Sequence, residues 1–429
     1  MIVSVRPSIK FKGTVNLPSS KSYSIRAAMI SACGAWSQIK NLSSCEDVKA
    51  ALQTAKHLGC KISCVSKNSY HIDANPFKKK KFSRINVDES GTVLRFVLPL
   101  LALKDYESRV EGKGTLCSRP NQFLTSVLRE MGREIKGKGS KETVPICIKG
   151  GKLKGGTVSI DGSLSSQFIS ALLIAAPFLN EDLKLVVKGK DFVSQTYIVM
   201  TINILKKAGI LVERISERSF LVKSNQKFKG LRSFTVPSDY GLAAFSLAAG
   251  ALLDSDLRLK GFLDESLIQA DGKIIDLLES LGVKIKKTKN ELSLKGPFLL
   301  NGGSFSLKDC PDLLPIMSIL ALFAQKKTRL YGIEHARIKE SDRISDLRKE
   351  LLKIGAKIVE KKGEMIIYPQ KAYKENVLLD PHRDHRLAMS FCVLGLKLGV
   401  RVKDIKCIDK SYPEFISDFK KLGAKFKKI

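Results

Sequence analysis

Long apolar runs are missing from this chain of 429 residues. The longest mostly apolar stretches, residues 168–179 and 313–324, are too short to span a bilayer. The start, Met1-Ile2-Val3-Ser4-Val5-Arg6, lacks the basic end, long apolar core and small-residue cleavage site of a secretory leader. A cytoplasmic protein with no membrane partner is therefore expected. The nine cysteines are odd in number and scattered, with no CxxC pair. That pattern fits reduced structural thiols and speaks against a disulfide framework. Of the five histidines only His382 and His385 are close, and no cysteine joins them, so a zinc site is not expected.

Acidic residues are also in short supply: 42 Asp and Glu stand against 74 Lys and Arg, a formal net charge of +32. Much of the excess is lysine in runs such as Lys78-Lys79-Lys80-Lys81, Lys286-Lys287 and Lys427-Lys428, read here as turns or terminus. The runs lack the interleaved aromatics of a single-strand nucleic-acid groove. A solvated lysine-rich surface that draws in small anions is expected, with no nucleic-acid partner. The apolar share of 44% fits a globular chain, and the length suggests roughly two to four domains.

One stretch combines several anion-binding signals. In Asn16-Leu17-Pro18-Ser19-Ser20-Lys21-Ser22-Tyr23-Ser24-Ile25-Arg26 a β-branched segment leads through a polar turn into an Ala-rich helical run. Serines cap helix starts, and the free N–H groups there attract anions. Lys21 and Arg26 add full charge. By itself the stretch reads either as a phosphate or carboxylate site or as an N-capped helix with a solvated basic face.

An internal repeat decides the architecture. A helix ending in an apolar residue, then Gly, then a short strand recurs at Gly59, Gly132, Gly209, Gly282, Gly355 and Gly423, spaced 73, 77, 73, 73 and 68 residues apart. Glycine just past a helix end takes a left-handed conformation without a Cβ clash. The other half of the repeat is a strand, a polar turn and a small-residue apolar helix. Its later copies open at Val87-Asp88-Glu89-Ser90-Gly91-Thr92, Ile160-Asp161-Gly162-Ser163, Val236-Pro237-Ser238-Asp239, Leu307-Lys308-Asp309-Cys310 and Leu379-Asp380-Pro381-His382. Each unit reads strand, helix, strand, helix, strand, strand. The sixth lacks its last strand, and the strand at residues 2–5 has no unit of its own, so the two chain ends are expected to share one domain. The reading is an α/β protein of two similar domains, each of three βαβαββ units. Residues 18–235 form one; residues 1–17 and 236–429 form the other, discontinuous domain. Short crossings at residues 18–20 and 237–239 would join them, with helix N-termini facing an active site in the interdomain cleft.

The densest chemistry is Ile338-Lys339-Glu340-Ser341-Asp342-Arg343. On a helix start Lys339 and Arg343 would share a face. A lone run of this kind is usually a salt-bridged surface helix. Here Arg383-Asp384-His385-Arg386 opens the next unit, Arg119-Pro120 opens a helix in the second, and Lys410 precedes the last helix. Five cations, Lys21, Arg119, Arg343, Arg386 and Lys410, thus fall at corresponding joints. Such arginine forks suit carboxylate and phosphate.

These residues carry a resemblance. The chain resembles the 5-enolpyruvylshikimate-3-phosphate synthase family along essentially its whole length. The signatures are Leu17-Pro18-Ser19-Ser20-Lys21-Ser22, Ser90-Gly91-Thr92 with Arg95, Ser165-Ser166-Gln167, Lys339-Glu340-Ser341-Asp342-Arg343 and Asp384-His385-Arg386. The resemblance implies two domains that close on substrate. It also implies transfer of enolpyruvyl from phosphoenolpyruvate to the 5-hydroxyl of shikimate 3-phosphate, with release of phosphate and no cofactor or metal. Carried over, the phosphoenolpyruvate side is Lys21, Gly91, Arg119, Gln167, Arg343, Arg386 and Lys410. The shikimate 3-phosphate side is Lys21, Ser22, Arg26, Ser165, Ser166, Gln167, Ser194, Tyr197, Asp312 and Lys339. Asp312 corresponds to the general base and Glu340 to the proton donor, with Lys21 near the 5-hydroxyl. A monomer is expected.

The chemistry fits such a set. The enol methylene gains a proton as the hydroxyl attacks, and that proton leaves as phosphate is expelled. Cations must hold two highly charged anions. Two positions depart from the family pattern. Glu89 stands where Asn is usual, and a carboxylate there would repel phosphoenolpyruvate unless it points away or meets a cation. His335 also replaces a common Asn and can still donate a hydrogen bond. Neither is assigned to the site. The nearest rival is the transferase acting on UDP-N-acetylglucosamine, which normally has Lys-Asn in place of Lys21-Ser22 and a loop cysteine farther from the arginine than Cys117 is from Arg119. A rival of another class is an RNA-binding or RNA-end-modifying protein on a related repeat fold, whose binding would weaken steeply with salt.

Overall fold

A computed structural model describes residues 1–74 and 82–429; the Lys78–Lys81 run lies outside the described residues. Twelve α-helices are named here in chain order: α1 (Lys21–Ser31), α2 (Glu46–His57), α3 (Gly91–Ala102), α4 (Gln122–Glu130), α5 (Ser166–Ala175), α6 (Gln195–Lys207), α7 (Tyr240–Leu252), α8 (Ile274–Ser280), α9 (Leu314–Leu322), α10 (Arg343–Lys353), α11 (His385–Leu398) and α12 (Phe415–Lys421). Odd-numbered helices open a repeat unit and even-numbered helices are second.

The two kinds of helix differ because their sequences differ. All residues of α7 and of α9 are buried. These helices are apolar on every side, as a helix must be when neighbours surround it. In contrast, α2, α4 and α10 bury one face only. The opening helices pack on one another, α3 between α1 and α5 in one group, and α7, α9 and α11 in another.

The described strands form six four-stranded sheets. Each has the same order. The opening strand pairs parallel with the middle one, as Phe82–Asn86 does with Glu107–Glu111. The middle strand then pairs antiparallel with the last, and the last with the third. All six helix-ending glycines have positive φ, between 85° and 111°. The left-handed stop read from the repeat is therefore present in every unit.

The chain divides into two compact domains, a continuous one (Ser19–Val236) and a discontinuous one (Met1–Pro18 with Pro237–Ile429). Within the discontinuous domain Val3–Arg6 lies between Val400–Val402 and Lys425–Lys428 and supplies the strand that the sixth unit lacks. Two opening strands are exchanged. Lys10–Asn16 precedes α1 but pairs with Asp254–Lys260 of the fourth unit. Phe234–Thr235 precedes α7 but pairs with Trp36–Lys40 of the first.

One lysine run is not a turn: Lys286–Lys287 is an edge strand on Glu291–Leu294. The terminal run, Lys427-Lys428, belongs to the edge strand Lys425–Lys428 on Val3–Arg6. Lysine on a sheet edge discourages pairing with another chain, so the charge here follows from the sheet boundary. Among the described residues no helix is long and apolar enough to cross a membrane.

Candidate active site

In the continuous domain the opening serines do cap: Ser20 precedes α1 and its hydroxyl accepts from the Tyr23 N–H at 3.4 Å. This leaves Lys21 at the first position of the helix, its amine 3.3 Å from the Asp47 carboxylate on the first turn of α2. Arg26, five residues on, is only 2% exposed. Its guanidinium donates to Thr201 Oγ1 at 2.8 Å and to the carbonyls of Ser22 and Tyr197 at 3.0 Å, and it lies over the Phe96 and Tyr197 rings. It braces α1 against α6. Burial pushes it down to about 10, with Tyr197 and Tyr23 opposing.

Gly91 begins α3, and a Cβ there would stand 2.5 Å from Arg119 Nη1. The glycine therefore clears room for a guanidinium. Arg119 itself closes the 3-10 turn Gly114–Ser118, and α4 begins only at Gln122 after the cap Asn121, so Arg119 does not open the helix as read. Pro120 cannot donate an N–H, and Asn121 takes the cap instead.

Gln167 stands in the first turn of α5. Its side-chain carbonyl accepts from Arg95 Nη1 at 2.5 Å and its amide donates to Thr92 at 3.0 Å. Ser165 caps this helix and accepts from the Gln167 N–H at 3.3 Å. Ser165 and Ser166 are both buried. Ser194 precedes α6 in a left-handed conformation, φ 57° and ψ 34°. Its carbonyl accepts from the Tyr197 N–H at 3.1 Å, but its buried hydroxyl has no hydrogen-bond partner among the described residues. A strained residue with an unsatisfied buried hydroxyl is costly without a ligand.

The discontinuous domain gathers a tighter group. Arg343, 1% exposed, donates to Asp384 Oδ2 at 2.7 Å, Asp312 Oδ1 at 2.6 Å and Glu340 Oε2 at 2.7 Å. Arg386 lies 2.9 Å from Asp312 Oδ2 and 3.4 Å from Asp271 Oδ2. Lys410 Nζ is 3.9 Å from Glu340 Oε1. Burial raises the Asp312 carboxyl, but Arg386, Arg343 and Lys339 more than reverse this and hold it well below the usual carboxylate range. Burial lowers Arg343; its three carboxylates outweigh that and hold it above the ordinary guanidinium value.

Lys339 and Arg343 do not share a helix face. Lys339 ends the 3-10 turn Glu334–Ile338, and α10 starts at Arg343. Asp342 prevents a continuous helix: its carboxylate accepts from the Ile344 and Ser345 N–H groups and caps α10. Glu340 is thereby left outside the helix, where it reaches Arg343.

The two departures from pattern have different outcomes. Glu89 meets the turn Gly114–Ser118: its Oε2 accepts from the Thr115 N–H at 3.4 Å and the Thr115 hydroxyl at 3.3 Å. His335 is 3% exposed, with Nε2 unpartnered among the described residues. Burial and Lys339 push its imidazole down to about 3.

Sequence reading assigned the cations and their partners Asp312 and Glu340, quoted Asp384 in a signature without giving it a role, and missed Asp47 and Asp271. Only Asp384 carries a local signal, since it caps α11 by accepting from the Arg386 N–H. Arg95 was detectable as a lone cation in an otherwise apolar helix.

Comparison with known proteins places the chain in a family. The family model for EPSP synthase (3-phosphoshikimate 1-carboxyvinyltransferase) matches residues 5–419. A protein of that name from Clostridium perfringens is 36% identical over 98% of this chain and 98% of its own. One from Nitrosopumilus maritimus is 35% identical over 97% of each. The solved EPSP synthase of Acinetobacter baumannii has a TM-score of 0.80 at 24% identity, covering all of both chains, and shares the fold. The chain belongs to the EPSP synthase family, transferases that pass the enolpyruvyl group of phosphoenolpyruvate to shikimate 3-phosphate in the shikimate pathway.

Proposed function

We propose that two groups of side chains, one on each domain, carry this transfer to the 5-hydroxyl. Lys21, Gly91, Arg119, Gln167, Arg343, Arg386 and Lys410 serve phosphoenolpyruvate. Ser22, Arg26, Ser165, Ser166, Ser194, Tyr197, Asp312 and Lys339, with Lys21 and Gln167, serve shikimate 3-phosphate. The observation that carries the reading is the pair of buried guanidiniums, Arg343 and Arg386, both held by Asp312. Guanidiniums kept from water and charge-balanced by carboxylates are ready to exchange those partners for substrate anions.

The exchange also supplies the acid–base chemistry. When phosphoenolpyruvate takes Arg343 and Arg386, Asp312 and Glu340 lose their nearest cations, and their affinity for protons rises. Asp312 then accepts the proton of the 5-hydroxyl as its oxygen bonds to the central enol carbon. Glu340 gives a proton to the methylene carbon, which becomes a methyl group. In the second step the carbon–oxygen bond to phosphate breaks, a methyl proton returns to Glu340, and the enol double bond re-forms. Lys21, freed from Asp47, and Lys410 neutralise the charge developing on the departing phosphate.

Arg26 acts from within the protein. Three hydrogen bonds to Ser22, Tyr197 and Thr201 fix the surroundings of two other residues on its list. The unsatisfied Ser194 hydroxyl supports a ligand oxygen nearby. All nine cysteines are free, which supports a reducing compartment such as the cytoplasm.

The test is phosphate release from phosphoenolpyruvate with shikimate 3-phosphate as acceptor, run on the native protein and on Asp312→Ala and Glu340→Ala. Native turnover with at least a hundredfold loss in each variant is expected, about the size of a general acid–base contribution. Near-native rates in either variant remove that residue from its role. Turnover with UDP-N-acetylglucosamine instead would favour the rival acceptor.

A further inference from the structure

We propose that Glu89 is a positioning residue for phosphoenolpyruvate: its carboxylate fixes the turn Gly114–Ser118, and that turn fixes Arg119. The proposal rests on the reading of Arg119 as a ligand of that substrate.

The ties between the two segments are specific. Asp88 O accepts from the Lys113 N–H at 2.8 Å, and Asp88 Oδ1 pairs with Lys113 Nζ at 2.8 Å. One residue on, Glu89 Oε2 takes both the backbone N–H and the hydroxyl of Thr115. The first N–H groups of a helical turn lack partners within it, and a carboxylate suits them. Two glycines make the approach feasible. A Cβ on Gly114, at φ 58°, would collide with the Glu89 carboxylate, and one on Gly112 would stand 2.9 Å from Asp88 O. The turn then runs through buried Leu116, whose carbonyl accepts from the Arg119 N–H at 3.2 Å. Leu116 and Arg119 both lie against the start of α3, beside Gly91. The carboxylate thus anchors one end of the turn and the guanidinium leaves the other. An amide at position 89 would carry less charge to the turn's N–H.

A repulsive role predicts the opposite sign. Were Glu89 merely a negative charge near an anion site, removing it would lower the KM for phosphoenolpyruvate. If it positions Arg119, removing it raises that KM.

Steady-state kinetics on Glu89→Ala, Glu89→Gln, Thr115→Val and Arg119→Ala, with the double variant Glu89→Ala/Arg119→Ala, test this. Glu89→Ala is expected to raise the KM for phosphoenolpyruvate about tenfold, with the KM for shikimate 3-phosphate within about twofold of native. Glu89→Gln, whose amide oxygen can still accept from Thr115, should recover most of the loss. Thr115→Val keeps the side-chain shape and should raise the same KM about threefold; it serves if Glu89→Ala does not fold. In the Arg119→Ala background, Glu89→Ala should add nothing, because its effect passes through Arg119. An unchanged or lowered KM in Glu89→Ala, or additive losses in the double variant, overturns the proposal. An unchanged KM in Arg119→Ala overturns the reading of Arg119 itself, and the positioning proposal falls with it. If Arg119→Ala raises that KM while Glu89→Ala does not, the reading of Arg119 stands and only the proposal fails.

Discussion

The guanidinium of Arg119 lies where a side chain on Gly91 would have to go: Nη1 is 2.5 Å from the position of a Cβ. Helix α3 can start against this arginine only without that carbon. Gly91→Ala must displace the guanidinium, because the next nearest side chain, Leu116 at 3.8 Å, is only in ordinary contact. The expected result is a rise of about tenfold or more in the KM for phosphoenolpyruvate, since misplacement of this order is costly at a preorganised site. The KM for shikimate 3-phosphate should stay near native. Equal effects on both constants would point to a general disturbance of α3 instead.

Asp312 answers to two arginines at once, and a neutral isostere separates its two duties. Asp312→Asn keeps the shape but removes the base and one counter-charge. Turnover should fall by about a hundredfold or more for loss of a general base. The KM for phosphoenolpyruvate should not rise, because no carboxylate of residue 312 has to be displaced from Arg343 and Arg386. A raised KM with native kcat would make Asp312 a binding residue only. Asp312 also ties stability to pH. Its folded pKa lies below the ordinary value, so its contribution is complete above the unfolded value of about 4 and is lost as pH falls through the lower folded value. Its ion pairs therefore persist throughout the neutral range.

Asp384 stands behind the site, fully buried against Arg343 and capping α11. Asp384→Asn leaves Arg343 with less compensation in a region closed to water. The expected loss is about 3 kcal/mol, in the range for breaking a buried pair from one side. A control is Asp254→Asn, which breaks the exposed Lys12–Asp254 pair, both side chains more than 40% exposed. That change should cost under about 1 kcal/mol. Urea midpoints for the two variants check the contrast, and equal shifts would deny Asp384 its structural role.

The contrast between these carboxylates explains what the sequence could and could not disclose. Gly59, Gly132 and their four equivalents were legible because a helix stop is written locally, in an apolar residue followed by Gly. The exchange of opening strands was not. Lys10–Asn16 and Phe234–Thr235 carry the same local pattern, and nothing beside them says which parallel partner each takes. Lys339 and Arg343 were placed on one helix because i, i+4 spacing fits; the capping carboxylate of Asp342 between them decided otherwise. Asp271 and Asp47 left no trace at all. Asp271 meets Arg386 across 115 residues, and such a pair is set by packing of helix starts. The cations, and with them Glu340 and Asp312, were readable from their repeated joints, whereas Asp47 and Asp271 come from elsewhere in the fold.

His335 offers a titration that can be read without substrate. Burial, with Lys339 adding repulsion, holds its imidazole down at about 3, against an ordinary value near 6.5. The folded protein thus resists a proton that the unfolded chain accepts. Its contribution is complete above about pH 6.5 and is lost as pH falls from there toward 3, at up to about 1.4 kcal/mol per pH unit. His335→Asn removes the titrating group and keeps a polar amide. Between pH 6.5 and 4.5 the native protein should therefore lose stability more steeply than the variant, and the gap should be absent at pH 7.5. Urea unfolding at several pH values measures it. Parallel curves across that range would mean that the imidazole is hydrated or charged in the folded state.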